Sequence, residues 1–563
     1  MIFRLKKFVL ILAGLAIAAC ETIGGETRET PTDPARTTTL TVATADETTI
    51  LEANIEPDFA DIITLDTLSN IALAILAGDV SSEDIVRAYL ERIKTIDQSG
   101  PTLQSVLALN PDALEDARAA DAALTAGETV GPLHGVPILL KDNIESTDPV
   151  ATTAGAFALK DNVTERDASL TAGLREAGAI ILGKTNLSQW ANFRSSSSIS
   201  GWSALGGQVR NPHMLDRTPC GSSSGSGAAT AAALAAGSVG TETNGSVICP
   251  SSMNGIVGFK PTVGLVSQTG IVPISSTQDT AGPMTRSVRD AALMLNAMAT
   301  DSEIDFTTAL EAASFDGKRV GVLRFAAGPN AEVNALFDNA LTDLENHGAT
   351  LVEIEELDLP DGYGDAGYLI LLAEFKHTLN EYLATTDPTK VTARSLAEVI
   401  AFNEENAAIE QVLFDQDILT ESEATPGLED AAYQAALEKS LKASREDGID
   451  KWMGEHDLDV LVAPSYTAAF LVDAVHGDNF NGRTGAGYIA ARAGYPHLTV
   501  PMGFVRGLPV GLSFMSTAGD DANVLALGYA YEQASAHIAP PTYLESAEDI
   551  ATISSAMQPY KAE

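Results

Sequence analysis

Short apolar runs alternate with segments of helical spacing along most of this chain. "GVPILLKDNI" (135–144) is a buried-strand run of Val, Ile and Leu that stops at a Lys-Asp pair. "DASLTAGLREAGAIILGKTN" (167–186) reads as capped helix, glycine turn and strand. "GKRVGVL", the helical "AEVNALFDNALTDLENHG" and "ATLVEIE" repeat the rhythm between 317 and 355. Strands return at "LDVLVAPS", "HLTVPMGF" and "VGLSFM", before a late helix in "NVLALGYAYEQASAH". Strands interleaved with helices of this length predict an α/β protein. Residues 360–455 are mostly helical and less patterned, as suits an inserted cap over a site. No repeat and no second composition regime interrupts the pattern, so 61–545 is read as one large domain, with 546–563 as a C-terminal tail.

The 563 residues carry 34 Lys and Arg against 76 Asp and Glu, a formal charge of −42. Such a surface repels nucleic acid and anionic headgroups, which excludes partners of those kinds. The N-terminus, "MIFRLKKFVLILAGLAIAAC", has a basic start (Arg4, Lys6, Lys7) and an apolar run ending in small residues. It reads as a secretory signal over 1–19, too short for a spanning helix. Ile17-Ala18-Ala19-Cys20 resembles the bacterial lipobox, in which the cysteine is lipidated and becomes the mature N-terminus. The expectation is a protein anchored in a bacterial cell envelope through Cys20, facing the periplasm or the exterior. Residues 20–60, rich in Thr, Glu and Pro, read as a flexible tether. Only Cys220 and Cys249 remain, too few for a disulfide framework. They could pair, but the reading adopted is two small buried hydrophobes.

The stretch "CGSSSGSGAATAAALAAGSVGTETNGSVICP" (220–250) is the chain's least ordinary segment. A flexible linker would not run straight into "AATAAALAAG", a strong helix former, or into "VICP". A phosphate-binding loop would end in Lys-Ser or Lys-Thr, and this one does not. "GSSSG" (221–225) matches the nucleophile elbow of α/β-hydrolases, with Ser223 as nucleophile. That elbow must follow a hydrophobic strand, and the preceding "QVRNPHMLDRTP" is polar with two prolines.

From Gly221 to Pro261 the chain resembles the amidase signature family. "GPLHGVPILLKDNI", "GKTNLSQWANF", "DTAGPM", "AGYPHLTVPMG", "GLPVGLSFM" and "LGYAYEQAS" extend the resemblance over about residues 65–540, in the family's order. "SGWSALGGQVRNP", "PCGSSSGS" and "TETNGSVICP" are most similar to its peptide amidase branch. The resemblance implies a mixed sheet sandwiched by helices. It also implies hydrolysis of carboxamides by a Ser–cis-Ser–Lys triad through an acyl-enzyme, with no cofactor or metal. Mapped here, the nucleophile is Ser246, the bridging serine Ser222, after a cis peptide from Gly221, and the base Lys141. The N–H groups of Thr243, Asn244, Gly245 and Ser246 would form the oxyanion hole, with Ser223 in support.

Elementary chemistry agrees with those roles. A lysine with its ordinary pKa is protonated at neutral pH and cannot act as a base. Lys141 follows "GVPILL", which would carry it into the core, where burial favours the neutral amine. Asp142 is adjacent, but neighbours on an extended segment point to opposite sides. The helix in "GSGAATAAALAAG" would aim its positive end at the same region. Lys184, also after a strand, is the competing base. His134 and His213 read as structural, since no metal-ligand spacing such as HExxH occurs. Asn244 and Val247–Ile248 depart from the family's usual residues, which bears on substrate preference. The expected substrate is a small carboxamide or a peptide C-terminal amide, with fatty or aryl amides as the alternative. The A subunit of tRNA-dependent amidotransferases shares this fold, but export argues against such a role. No obligate protein partner is implied. A non-catalytic binding protein would have no need of Lys141, Ser222 and Ser246 together.

Overall fold

The computed structural model describes residues 38–44, 47–53, 67–480 and 484–559. The secretory signal and Cys20 therefore lie outside the described residues. The segment read as a tether contains a regular element: Thr38–Thr44 pairs antiparallel with Glu47–Ala53. Both strands are rich in Thr and β-branched residues, which suit an extended backbone.

The rest is built on one mixed sheet of eleven strands. In chain order these are β1 (Val106–Leu109), β2 (Pro137–Lys141), β3 (Ile180–Thr185), β4 (Gly237–Glu242), β5 (Val257–Lys260) and β6 (Thr280–Thr285). They continue with β7 (Arg319–Leu323), β8 (Thr350–Ile354), β9 (Val460–Pro464), β10 (His497–Val505) and β11 (Leu508–Met515). Across the sheet the order is β8-β7-β9-β11-β10-β5-β6-β4-β2-β3-β1. β2 runs parallel to β3 and β4, and β7 parallel to β8 and β9; the other pairs are antiparallel. Every residue of β2, β3 and β4 is buried, as expected of strands covered on both faces. The predicted cap is helical, from Tyr363–Thr385 to Asp450–His456. A fully buried Arg194–Glu410 ion pair ties it to the body. The tail adds a short helix, Ala551–Ala556, and Ile550 packs among Met214, Phe470 and Leu508.

Two features of the Ser/Gly/Ala stretch differ from expectation. Its helix spans Ser224–Ala231 and does not continue through "LAAG". Alanine propensity loses there to tertiary contacts. Arg92 donates to the carbonyls of Ala232 and Ala233, Arg286 donates to that of Ala235, and Ala233 turns to φ +52 before β4 begins. The helix is buried on every side, which explains its composition. A Cβ on Gly225 would stand 2.3 Å from Ser105 O and 2.4 Å from Asn186 O. The second correction concerns Cys220 and Cys249, which form a disulfide instead of packing as free thiols. Sequence offered no way to see that the loop before one helix and the first turn of the next meet in space.

Candidate active site

The parallel pairing of β2 with β4 places their carboxyl ends side by side, with Leu140 opposite Val239. In α/β sheets sites gather beyond the carboxyl ends of strands. Lys141 closes β2 with none of its side chain exposed. Its Nζ donates to Ser222 Oγ at 2.8 Å, to Thr241 Oγ1 at 2.9 Å and to Thr241 O at 3.1 Å. Thr241 Oγ1 is itself held by Asn143 Nδ2 at 3.0 Å. Among the described residues, no carboxylate bonds the amine. Burial therefore brings Lys141 down to about 7, against the opposing charges of Asp279 and Glu242. Asp142 points away, as alternation requires, and takes the N–H and hydroxyl of Thr153.

Ser222 follows a cis peptide bond from Gly221 and is fully buried. Its carbonyl accepts from the Ser188 N–H at 3.1 Å. A Cβ on Gly221 would stand 2.2 Å from Ser188 Oγ, so the approach of the two segments requires glycine.

Ser246 sits in the turn between β4 and the helix Ile248–Asn254. Glu242 Oε2 gathers the turn by accepting the N–H groups of Val247 (2.8 Å) and Ile248 (3.0 Å). Thr243 Oγ1 donates to Asp279 Oδ1 at 2.6 Å. Burial raises Asp279 to about 6. Gly245 has φ +85, and a Cβ there would lie 2.2 Å from Tyr466 Oη. Among the described residues, no backbone or side-chain acceptor takes the N–H groups of Thr243, Asn244, Gly245 or Ser246. Four such donors around one serine can receive an anion. Ser246 keeps 8% of its surface exposed where Ser222 keeps none, so only Ser246 can meet a ligand directly. It opens on a cavity of about 260 Å³, lined also by Asn192, Phe193, Leu371 and Tyr466. A second cavity of about 550 Å³ shares Tyr466 and Phe480 with the first. No hydrogen bond joins Ser246 Oγ to Ser222 among the described residues.

The alternatives are otherwise engaged. Ser223 is fully buried; its hydroxyl donates to Thr241 O (3.0 Å) and accepts from Thr241 N–H (3.1 Å). The segment before it forms no central strand, so the elbow reading fails on structure as well. Lys184 Nζ donates to Ile144 O and Thr152 Oγ1, and to neither Ser222 nor Ser246 among the described residues. His134 Nε2 bonds Ala120 O and His213 Nε2 bonds Asn254 O; burial takes His213 down to about 4, where it stays neutral. Sequence reasoning missed Thr241, Asn143, Asp279 and Tyr466. The first three stand inside "TETNG", "KDNI" and "DTAGPM", but only the sheet register shows that they meet. Tyr466 follows β9 in a segment with no periodic signal.

This fold, with a buried lysine against a serine after a cis peptide at the strand ends, defines an amide hydrolase of the amidase type. The sequence profile of the Amidase family matches residues 84–525, and the chain belongs to that family. A probable amidase of Arabidopsis thaliana is 38% identical over 500 residues, covering 85% of this chain and 91% of that protein. The native peptide amidase of Stenotrophomonas maltophilia superposes with a TM-score of 0.79 at 44% identity, covering 85% of this chain and 99% of that one. An amidase family protein of Bacillus anthracis gives 0.77 at 33%, covering 86% and 94%. The similarity supports a place in the peptide amidase branch.

Proposed function

We propose that Ser246, Ser222 and Lys141 hydrolyse carboxamides through an acyl-enzyme. Ser246 Oγ attacks the carbonyl carbon, its proton passing to Ser222 Oγ while the Ser222 proton passes to the neutral Lys141 amine. The N–H groups from Thr243 to Ser246 hold the tetrahedral oxyanion. Its collapse breaks the C–N bond, and the proton returns from Lys141 through Ser222 to the departing nitrogen, releasing ammonia from a primary amide. Water then attacks the ester along the same relay and restores Ser246. One observation carries this reading: a buried lysine, free of any bonded carboxylate, stands 2.8 Å from Ser222 Oγ.

The substrate we assign is the C-terminal carboxamide of a peptide or a similar small amide. The likeness to a peptide amidase and the small exposure of Ser246, confined to the wall of a cavity of about 260 Å³, support it. We also place the protein in a bacterial envelope, anchored at Cys20. The signal-like N-terminus supports this, as does the Cys220–Cys249 disulfide, a bond suited to oxidising compartments. A fluorophosphonate probe tests the nucleophile. Wild type and Ser223→Ala should be labelled, and Ser246→Ala should not. Labelling of Ser246→Ala would overturn the assignment.

A further inference from the structure

Among the described residues, the lining of the Ser246 cavity carries one charged side chain, Asp478. Ser200 holds both oxygens, its N–H on Oδ1 at 3.1 Å and its hydroxyl on Oδ2 at 2.5 Å. Among the described residues, no lysine or arginine bonds the carboxylate. What acts on it there is burial, which pushes the carboxyl up, and the two Ser200 bonds, which pull it down. A carboxylate has about four acceptor sites, so two remain for a visitor. A half-desolvated anion of this kind is better satisfied by a cation than by water or an apolar group.

Ser200 alone would account for Asp478 if the residue served only to pin the 473–480 loop. An uncharged acceptor such as asparagine could do that without placing an unpaired charge in a cavity wall. The rest of the lining among the described residues, with Phe193, Ile274, Leu371 and Phe480, offers an apolar body of contact and no cation. The arrangement is that of a binding cavity with one charged determinant.

We propose that Asp478 is a specificity-determining residue, selecting carboxamides that carry a positive charge within one or two residues of the scissile carbonyl. The cation is either a basic side chain or the free α-ammonium of a short peptide amide. The proposal rests on Ser246 being the nucleophile at the end of this cavity. It differs from the general pull of a −42 surface on cations, which acts at long range and fades with salt. A contact at Asp478 acts after binding and persists at moderate ionic strength.

The test compares kcat/KM at 0.3 M salt for acetyl-alanyl-X-amide with X lysine, norleucine or glutamate, and for alanyl-norleucinamide with its α-amine free. Wild type should favour at least one cationic substrate over the neutral acetyl-alanyl-norleucinamide by about tenfold, the scale of one charged hydrogen bond, with glutamate slowest. Whichever cationic substrate is favoured identifies the position of the charge. In Asp478→Asn that preference should shrink to about twofold or less, the residual long-range effect. Ser200→Ala removes one loop-pinning bond and keeps the charge, so its preference should survive. Equal rates in wild type would overturn the proposal. So would a preference that persists in Asp478→Asn, or one lost equally in Ser200→Ala. Absence of turnover with the neutral substrate as well would sink the underlying reading of an amide hydrolase with Ser246 at this cavity.

Discussion

Lys141 can serve as a base because of what surrounds its amine. Three oxygens of Ser222 and Thr241 ring Nζ, and two of its contacts are to one threonine. Thr241 O can only accept, so it occupies one N–H even when the amine is neutral. The contact to Ser222 can then reverse, with the hydroxyl donating to the nitrogen lone pair. In the proposed mechanism the neutral form is the active one, and burial brings the amine down to about 7. Below that value most molecules carry the ammonium. The neutral fraction, and with it kcat/KM, should climb as pH rises through 7 and level off about a unit higher. A profile from pH 5 to 9 on a peptide amide checks this, and a flat one would contradict it. Lys141→Ala should lose about 10²–10⁴ in rate, the size of a general-base contribution, and should also lose the rise near pH 7. Ser223→Ala should be impaired without being dead. Its hydroxyl bridges the Thr241 backbone, and the loss of both bonds loosens the strand end that also holds Lys141.

Two elements meet at the site through a covalent tie that the sequence did not reveal. Cys220 precedes the Gly221–Ser222 cis peptide, and Cys249 lies in the first turn of the helix after Ser246. The disulfide thus joins the segment of Ser222, the proposed bridging serine, to that of Ser246, the proposed nucleophile. Cys220→Ser with Cys249→Ser should lower kcat while KM for a peptide amide changes little. The relay geometry loosens, but most of the cavity wall stays. The thermal unfolding temperature should fall as well, since closing a loop of this size contributes about 3.6 kcal/mol in the chain-entropy picture. An unchanged kcat in a folded double variant would show that packing alone aligns the two serines. Gly245→Ala is the sharper disruption, because φ +85 and the Tyr466 hydroxyl leave no room for a methyl group. It should lose nearly all activity, read in the same assay.

The alternation of strand and helix was legible because each element obeys its own period. β2 and β3 fall where Val, Ile and Leu runs predict, and Gly178 makes the expected turn between the preceding helix and β3. Local propensity failed at "LAAG", where arginine side chains from distant segments take the carbonyls. Lys141, Ser222 and Ser246 were singled out through a family resemblance, and the fold brings the first two into hydrogen-bond contact. Their neighbours Asp279, Tyr466 and Asp478 were not, because each arrives from a separate stretch of chain and only the folded sheet brings them together.

For the complete molecule, the open matter is where it works. A formal charge of −42 opposes binding to nucleic acid and anionic lipid surfaces, so the membrane attachment proposed above is assigned to a specific anchor. Among the described residues, no helix is long and apolar enough to cross a membrane. The proposed anchor is a lipidated Cys20. A single acyl chain binds a bilayer only marginally, whereas several chains on one residue hold it firmly. Wild type expressed in a bacterial host should therefore sediment with membranes and need detergent for release. Cys20→Ser should accumulate unprocessed or appear in the soluble fraction, while the purified protein keeps its activity on a C-terminally amidated peptide, because Cys20 lies outside the catalytic domain. Mass spectrometry of that peptide should show a gain of about one dalton, NH₂ exchanged for OH, with no backbone fragments. Wild type recovered from the soluble fraction without detergent would refute the anchor and leave the chemistry standing. Backbone fragments, or turnover confined to long-chain fatty amides, would refute the substrate assignment and leave the anchor standing.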